Sequence, residues 1–427
     1  AGFWLSFAAV AWLWFAFAGR VRSASHWGAL LRAQGVLTLG LLPLQAGWFQ
    51  QFSLWMPVAN LLLIPLTGAV ILPLLLAALI AHLALPPLGD LLLLMAGAAL
   101  SWLGHVLEWC AGHGGALQLK LTPTDTAATI LAAVGIAWLM LPRGVRFRHA
   151  GWLWLAPMLL TPRADPPPGG VELLAYDLGQ GQAVAVRTQN HALLYDTGPG
   201  DGRGRDRVTS SIVPQLRRWG TIPLDALMVS HGDLDHAGGL RTARRQLRPR
   251  RVSSSVPEIG KPCRAGDHWR WDGVEFRVLH PSRFLPYLGN DSSCVLLVTT
   301  DSGRILLPGD ITTAIEARLL RRHGGPPARV LLVPHHGSES STLPRWLDAV
   351  GPELALVSAG QWNRFDHPAA SVRRRYEAIG ARFINLAHCG AVRVRLDAVN
   401  GLQWQTLAES RPRWWRKSQV IDPACTR

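Results

Sequence analysis

From Phe3 to Ala18 the chain runs sixteen residues without a charge, and comparable apolar stretches follow at about 27–49, 53–83, 87–109, 126–141 and 150–161. Segments this long and apolar belong in lipid, where every backbone N–H and C=O must be satisfied within the segment, so they must be helices. The charge distribution draws the boundary. Residues 1–170 hold 8 Lys+Arg and 4 Asp+Glu, whereas residues 171–427 hold 35 and 24. The first part is too poor in charge for a water-soluble domain, and the second has ordinary globular composition with a basic excess. A helical membrane domain is therefore expected over 1–162. A Pro/Gly linker is expected over 163–170, around Pro166-Pro167-Pro168-Gly169-Gly170, then a second domain over 171–400 and a tail over 401–427. A signal peptide at 3–18 is the rival reading, but it lacks a basic flank and an initiating Met. A chain opening at Ala1 inside an apolar segment reads as a piece of a longer protein.

Basic residues set the expected orientation. Arg20 and Arg22 follow the first stretch, and Arg143, Arg146 and Arg148 lie between the last two, while the only basic residue of 111–125 is Lys120. The positive-inside rule puts the Arg clusters in the cytoplasm. The parity of six crossings then puts everything after residue 165 on the outer, periplasmic face of a bacterial inner membrane. Within the third stretch Pro57, Asn60 and Pro65 stand out. Prolines free helix carbonyls that a neighbour or a wet cavity must re-satisfy. The segment reads either as a broken helix lining a conduit or as a kinked packing helix with Asn60 as inter-helix glue.

The basic excess suits a polyanion or a membrane surface. Lys occurs only at 120, 261 and 417, however, and the Arg bias of a GC-rich genome would give the same balance. Five cysteines with no C-x-x-C spacing argue against a thiol zinc site or a dense disulfide framework. Cys263 and Cys294 pair only if the domain is extracytoplasmic, and buried free thiols are the expected state.

The chemistry concentrates after the apolar run Ala226-Leu227-Met228-Val229. There Ser230-His231-Gly232-Asp233-Leu234-Asp235-His236-Ala237-Gly238-Gly239 packs two histidines and two aspartates into a loop, and the glycines are expected to turn it tightly. Imidazole and carboxylate ligands at a strand end are the donor set of catalytic divalent-metal sites, which keep a position open for water. Further strand-to-loop endings recur in order: Asp177-Leu178-Gly179-Gln180-Gly181-Gln182-Ala183, Tyr195-Asp196-Thr197-Gly198, Leu307-Pro308-Gly309-Asp310, Val333-Pro334-His335-His336-Gly337-Ser338, and Asn363 with His367-Pro368.

Together these motifs resemble the metallo-β-lactamase fold, whose His-x-His-x-Asp-His signature appears here with Asp233 as its second member. That replacement, the Asp177–Ala183 turn and the Val-Pro-His-His-Gly-Ser ending resemble the ComEC family of DNA-internalisation competence proteins. Phe3–Val10 and Pro57-Val58-Ala59-Asn60 with Pro65 are similar to the last part of that family's competence domain. The resemblance implies a polytopic α-helical membrane domain followed by a metallo-β-lactamase-like αββα sandwich. It implies metal ligands at His231, Asp233, Asp235, His236, Asp310 and His336, with Asp235 and His335 handling protons in catalysis. Asp196, Asp291 and His367 are expected around the ligands. Asp291, or less readily His280, stands where the fold uses a further His. One or two divalent ions are implied, and the oxygen-rich set moves preference from Zn towards Mn or Mg without deciding it.

The implied function is an inner-membrane channel for single-stranded DNA in natural transformation, with an attached metal-dependent nuclease or phosphodiesterase. Pro57, Asn60 and Pro65 would lie in the channel. The implied partners are single-stranded DNA, membrane lipid, a competence DNA receptor and cytoplasmic translocation partners, and a homo-oligomer stays open. A membrane-tethered metallohydrolase on another substrate, or a DNA-binding domain that does not cut, are the alternatives. Arg241, Arg244 and Arg248, spaced i, i+3 and i+7 after the metal loop, are expected to contact phosphates, with Trp219 or Trp362 stacking on bases.

Overall fold

The structure is a computed structural model, and it describes residues 2–18, 25–49, 51–53, 55–113, 118–120, 126–142, 144–160, 165–410 and 425–426. The chain divides into two compact units, 1–162 and 163–427. Arg20, Arg22 and Arg143, on which the orientation argument leans, lie outside the described residues.

The first unit is helical. Helices span Gly2–Phe17, His26–Phe49, Trp55–Leu66, Leu72–Ala84, Pro86–His113 and Thr126–Leu139. Three stretches among the described residues are long and apolar enough to cross a membrane: Trp27–Phe49, Trp55–Ala84 and Pro86–Cys110. Their outward faces carry side chains such as Leu83, 84% exposed, and Leu94, 72% exposed. Apolar surface on that scale needs lipid or another apolar partner.

The third stretch is not broken. A π-helical turn, Thr67–Ile71, joins Trp55–Leu66 to Leu72–Ala84. Pro65 and Pro73 each remove an N–H, and the wider turn with the Thr67 hydroxyl on the Leu63 carbonyl at 2.7 Å absorbs the mismatch. The last apolar stretch also differs from a sixth full crossing. It forms a 3-10 helix, Arg148–Leu155, and a five-residue α-helix, Ala156–Leu160. The 3-10 helix lies so close to Thr126–Leu139 that a Cβ on Gly135 would sit 2.6 Å from the Gly151 carbonyl.

The second unit is an αββα sandwich. One sheet has the order Gly401–Thr406, Val392–Asp397, Val171–Ala175, Val184–Arg187, Ala192–Tyr195, Ala226–Val229, Arg251–Ser254, Lys261–Pro262. The other runs Arg382–Asn385, Leu354–Val357, Val330–Leu332, Gly303–Leu307, Val295–Thr300, Val274–His280, His268–Trp271. Both faces of the central strands are covered, which is why these read as continuous apolar runs, whereas strands at or next to a sheet edge, such as His268–Trp271 and Val392–Asp397, alternate. Ala226 and Met228 join Val330, Leu332, Leu354 and Leu356 between the sheets. Leu227 and Val229 face one helical layer, and Leu331, Ala355 and Val357 face the other.

Two features depart from expectation. The first sheet continues past residue 400, since Gly401–Thr406 pairs antiparallel with Val392–Asp397, so this part of the supposed tail is an edge strand. The buried cysteines are not free thiols: Cys263 pairs with Cys294 and Cys389 with Cys425, leaving Cys110 free among the described residues. The first is the pair expected of an extracytoplasmic domain; the second has no spacing signal, because the fold brings Cys425 to Cys389.

Candidate metal centre

The site forms where strands of both sheets end at one edge of the sandwich. Ala226–Val229 delivers Ser230 to His236, Ala192–Tyr195 delivers Asp196, Gly303–Leu307 delivers Asp310, and Val330–Leu332 delivers His335 and His336. The metal loop is pinned from its backbone. Gln182 N donates to the Asp235 carbonyl at 3.0 Å and Thr197 N to the His236 carbonyl at 2.8 Å. Gly238 and Gly239 have negative φ values of −58° and −87°, open to any residue. Gly238 is required instead by a close approach, since its Cβ would lie 2.3 Å from Gly200 N. Asp196, His335 and His336 all hold left-handed φ, at 61°, 51° and 54°. Each such conformation costs about 1–3 kcal/mol in a non-glycine residue and survives only where the surroundings enforce it.

Five of the six proposed ligands converge. His236 Nε2 lies 3.0 Å from His336 Nε2 and 3.2 Å from Asp310 Oδ1. His336 Nε2 lies 3.2 Å from Asp235 Oδ2 and 3.4 Å from Asp310 Oδ2. Two overlapping triads result, His231/His236/Asp310 and Asp235/His236/His336, each with its ligand atoms within 4.8 Å of one another. Asp233 is in neither. Its carboxylate is 57% exposed and 3.6 Å from His231 Nε2, at the mouth of the site.

The residues fit a divalent cation. His231 Nε2 is buried without a hydrogen-bond partner, and buried Asp310 Oδ1 faces only another candidate ligand, His236 Nε2, at 3.2 Å. Buried polar atoms are rarely left so, and a shared cation would satisfy both. The outward nitrogens are already committed: His236 Nδ1 to Asp196 Oδ2 at 2.8 Å and His336 Nδ1 to the Ser358 carbonyl at 2.8 Å. Such contacts fix which nitrogen is offered to the metal. Asp196 also accepts from Ser230 N at 2.6 Å, Ser230 Oγ at 2.9 Å and Gln182 Nε2 at 3.1 Å. Gln182 therefore serves the centre as a donor to Asp196.

The electrostatics express the same crowding. Burial opposes charge on Asp235, yet its hydrogen bond to His336 and the nearby His236 hold its carboxyl down to about 2. Burial likewise opposes charge on Asp310, and His236 and His336 outweigh it, keeping that carboxyl well below the usual range. Burial pushes His236 down, but Asp310 and Asp196 hold it well above the ordinary imidazole value.

The remaining predicted residues sort by contact. His335 stands beside the ligands, with Asn290 Nδ2 3.2 Å from its Nε2 and Ser340 Oγ 3.0 Å from its Nδ1, and burial lowers its pKa. Asp291 gives the cluster no oxygen. Its Oδ1 accepts from Thr312 N at 3.2 Å and Thr312 Oγ1 at 2.7 Å, bracing the turn just after Asp310. His280 is structural, with Nε2 2.8 Å from the Asp291 carbonyl. The position where the fold would place another His is occupied by Asn290 and by Ser293, whose Oγ is 3.4 Å from His231 Nδ1 and accepts from Asp310 N. The sequence marks the turn 290–293 and favours Asp291 within it; that Asn290 and Ser293 make the contacts instead has no distinguishing spacing. His367 rings the mouth, 6.0 Å from His335 between ring centres.

Of the arginines, Arg241, Arg244 and Arg248 are exposed. Arg244 donates to the Ile259 carbonyl, and Arg248 lies beyond the helix Leu240–Leu247 with a left-handed φ of 47°. The three do not form one free helical face. Trp219 is buried, with the Arg187 guanidinium 4.8 Å from its ring centre, so it offers no base-stacking surface. Trp362 is 91% exposed on the loop leading to His367.

An αββα sandwich with a His/Asp centre at its strand ends defines a metallo-β-lactamase-superfamily domain, and residues 176–361 match that superfamily's model. Residues 1–146 match the competence protein family. Competence protein ComA of Neisseria gonorrhoeae is 32% identical over 420 residues, covering 97% of this chain and 58% of that protein. Recombination protein 2 of Haemophilus influenzae is 35% identical over 242 residues, covering 56% of this chain and 30% of that protein. Among solved structures, the metallo-beta-lactamase fold protein YhfI from Bacillus subtilis is 11% identical, covering 50% of this chain and 95% of that one, with a TM-score of 0.34. The chain thus joins a competence-protein domain to a metallo-β-lactamase domain, and it is similar over most of its length to ComA-type competence proteins. It spans about half the length of the relatives it matches most fully.

Proposed function

We propose that this chain is part of a multi-pass inner-membrane channel for single-stranded DNA, and that its second domain is a metal-dependent phosphodiesterase acting on that DNA. The observation that carries the catalytic reading is the buried, unpartnered His231 Nε2 in a cluster of three histidines and two aspartates, where Asp310 Oδ1 meets only another candidate ligand, His236 Nε2, at 3.2 Å. His231, Asp235, His236, Asp310 and His336 would hold one or two divalent ions, with Asp310 shared and Asp233 closing the open side. A bound ion supplies charge neutralisation on a phosphodiester and activates water. The chain's own residues do the rest. Asp196 holds His236 in one tautomer, Ser358 does so for His336, and Asp235 stays ionised to take up a proton. His335, neutral through burial, hydrogen-bonds Asn290 and Ser340 and is placed to pass a proton at the mouth.

The two disulfides favour an oxidising compartment, which supports a periplasmic second domain. Trp362 and Phe365, the latter with the Arg364 guanidinium 4.7 Å from its ring centre, offer exposed surfaces for unpaired bases. The channel role rests on the competence-family match, with Pro57, Asn60 and Pro65 in its third helical stretch. Manganese, zinc and magnesium should be compared for cleavage of a labelled single strand by the purified chain, with His336→Ala alongside. Cleavage that no metal supports, or that survives His336→Ala, would remove the phosphodiesterase. A carboxyl-terminal reporter active only in the cytoplasm would remove the periplasmic placement.

A further inference from the structure

A second cavity adjoins the metal centre. Three neighbouring parallel strands of the second sheet end on the same edge. Val330–Leu332 leads to His335 and His336, Leu354–Val357 leads to Ser358 and the Gly360–His367 loop, and Arg382–Asn385 leads to His388. Ligands of sheets with parallel strands gather outside such carboxyl ends. A cavity of about 280 Å³ elsewhere is remote from this edge, whereas one of about 260 Å³ lies against it, bounded by Gly360, Gln361, His367, Arg373, Asn385 and His388.

Its lining is unlike the metal centre's. None of its described residues is a carboxylate. Arg373 Nε donates to Glu377 at 2.7 Å, one turn away on the same helix. Asn385 Oδ1 accepts from Ala387 N at 3.0 Å, so its amide NH2 is the end offered outward. His367 joins the two sites, with its ring stacked on Phe365 at 5.5 Å and 6.0 Å from His335. Asn363 fixes that loop, bonding the Gly360 carbonyl at 2.8 Å, the His367 carbonyl at 2.6 Å and His367 N at 2.9 Å. The Cys389–Cys425 disulfide anchors the turn that carries His388.

A guanidinium, two imidazoles and two amides around a small cavity free of carboxylates form a phosphate-binding set. We propose that this cavity binds a phosphate of the nucleic-acid strand next to the one presented at the metal centre, and so sets the strand's register. The proposal rests on the nucleic-acid reading above. It assigns Arg373 and His388 a binding role that no motif marked.

The test uses the full chain in detergent and a fluorescent oligothymidylate, with anisotropy followed across a salt series. Arg373→Gln with His388→Gln should weaken binding at low salt and flatten the log affinity against log salt slope by about 0.7, the value of one single-strand phosphate contact. Metal content by elemental analysis should stay at the wild-type level, showing an intact centre. Should the double variant lose its metal, Arg373→Gln alone, at an exposed helical position, gives the same reading. Equal loss for 5′-phosphorylated and 5′-hydroxyl strands marks an internal phosphodiester, and loss confined to the phosphorylated strand marks a terminal phosphate. An unchanged slope with intact metal overturns the subsite alone. A wild-type chain that binds no single strand overturns both the subsite and the reading beneath it.

Discussion

The two sides of the metal centre are built differently. On one side Asp235, His236 and His336 meet Asp310 in a group whose outward nitrogens already have partners in Asp196 and Ser358. On the other, His231 is braced through Nδ1 by Ser230 Oγ at 3.0 Å, but Asp233 is more than half exposed, and Asn290 and Ser293 supply the polar contacts there. A fully braced ligand set loses little entropy when an ion binds, and a loosely held carboxylate loses more. The braced side should therefore bind an ion tightly, and the open side should bind one weakly or exchange it.

The largest effect expected of any substitution is at the shared residue. Asp310→Ala should leave both sides empty by elemental analysis, and full occupancy would refute a shared role. Next, His336→Ala should lose the tightly held ion while Asp233→Ala keeps it, and equal losses would erase the distinction between the two sides. Asp196→Asn tests the bracing: metal affinity on the His236 side should fall about 10–100-fold, the usual cost of losing such a partner. Competition titration with a chromophoric chelator reads it, and an unchanged affinity would show that the bracing is immaterial.

A pH series sharpens the contrast further. His236 is raised, so in metal-free protein its ion pairs stabilise fully below about 6.5, and that stability is lost as pH climbs through its raised folded value. Asp235 is depressed, so its contribution is present above about 3.9 and is lost as pH falls towards about 2. The metal-free domain should be most stable between these limits. Ligation requires neutral imidazole, so stabilisation by added metal should grow with pH. Thermal unfolding with and without chelator checks this, and a metal effect that shrinks as pH rises would contradict it. The smallest effect belongs to the surface: changing Arg241, Arg244 and Arg248 to Gln should flatten the salt dependence of strand binding by at most roughly two units, at about 0.7 per phosphate. Because Arg244 is engaged with Ile259, the loss should fall short of all three contacts.

Much of this was legible beforehand for a physical reason. Membrane helices announce themselves through length and apolarity, and buried strands through short apolar runs ending in His, Asp and Gly. His231, Asp235, His236, Asp310 and His336 each end such a run, so their convergence follows once the strands are aligned. Partners that approach from strands distant in the chain left no distinct spacing. Asn290 on His335, Ser293 on His231 and Asp310, and the two disulfides depend on which strands become neighbours.

The sequence by itself determined the two-part composition, the order of the strand-end motifs and the chemical types of the ligands, since all of these are local properties of the chain. Only the tertiary structure decided that Asp233 stands at the rim, that Asp291 braces a turn, that Trp219 is buried and that 401–406 is a strand. Those outcomes are set by packing between distant segments. A side chain's role there depends on what reaches it across the fold.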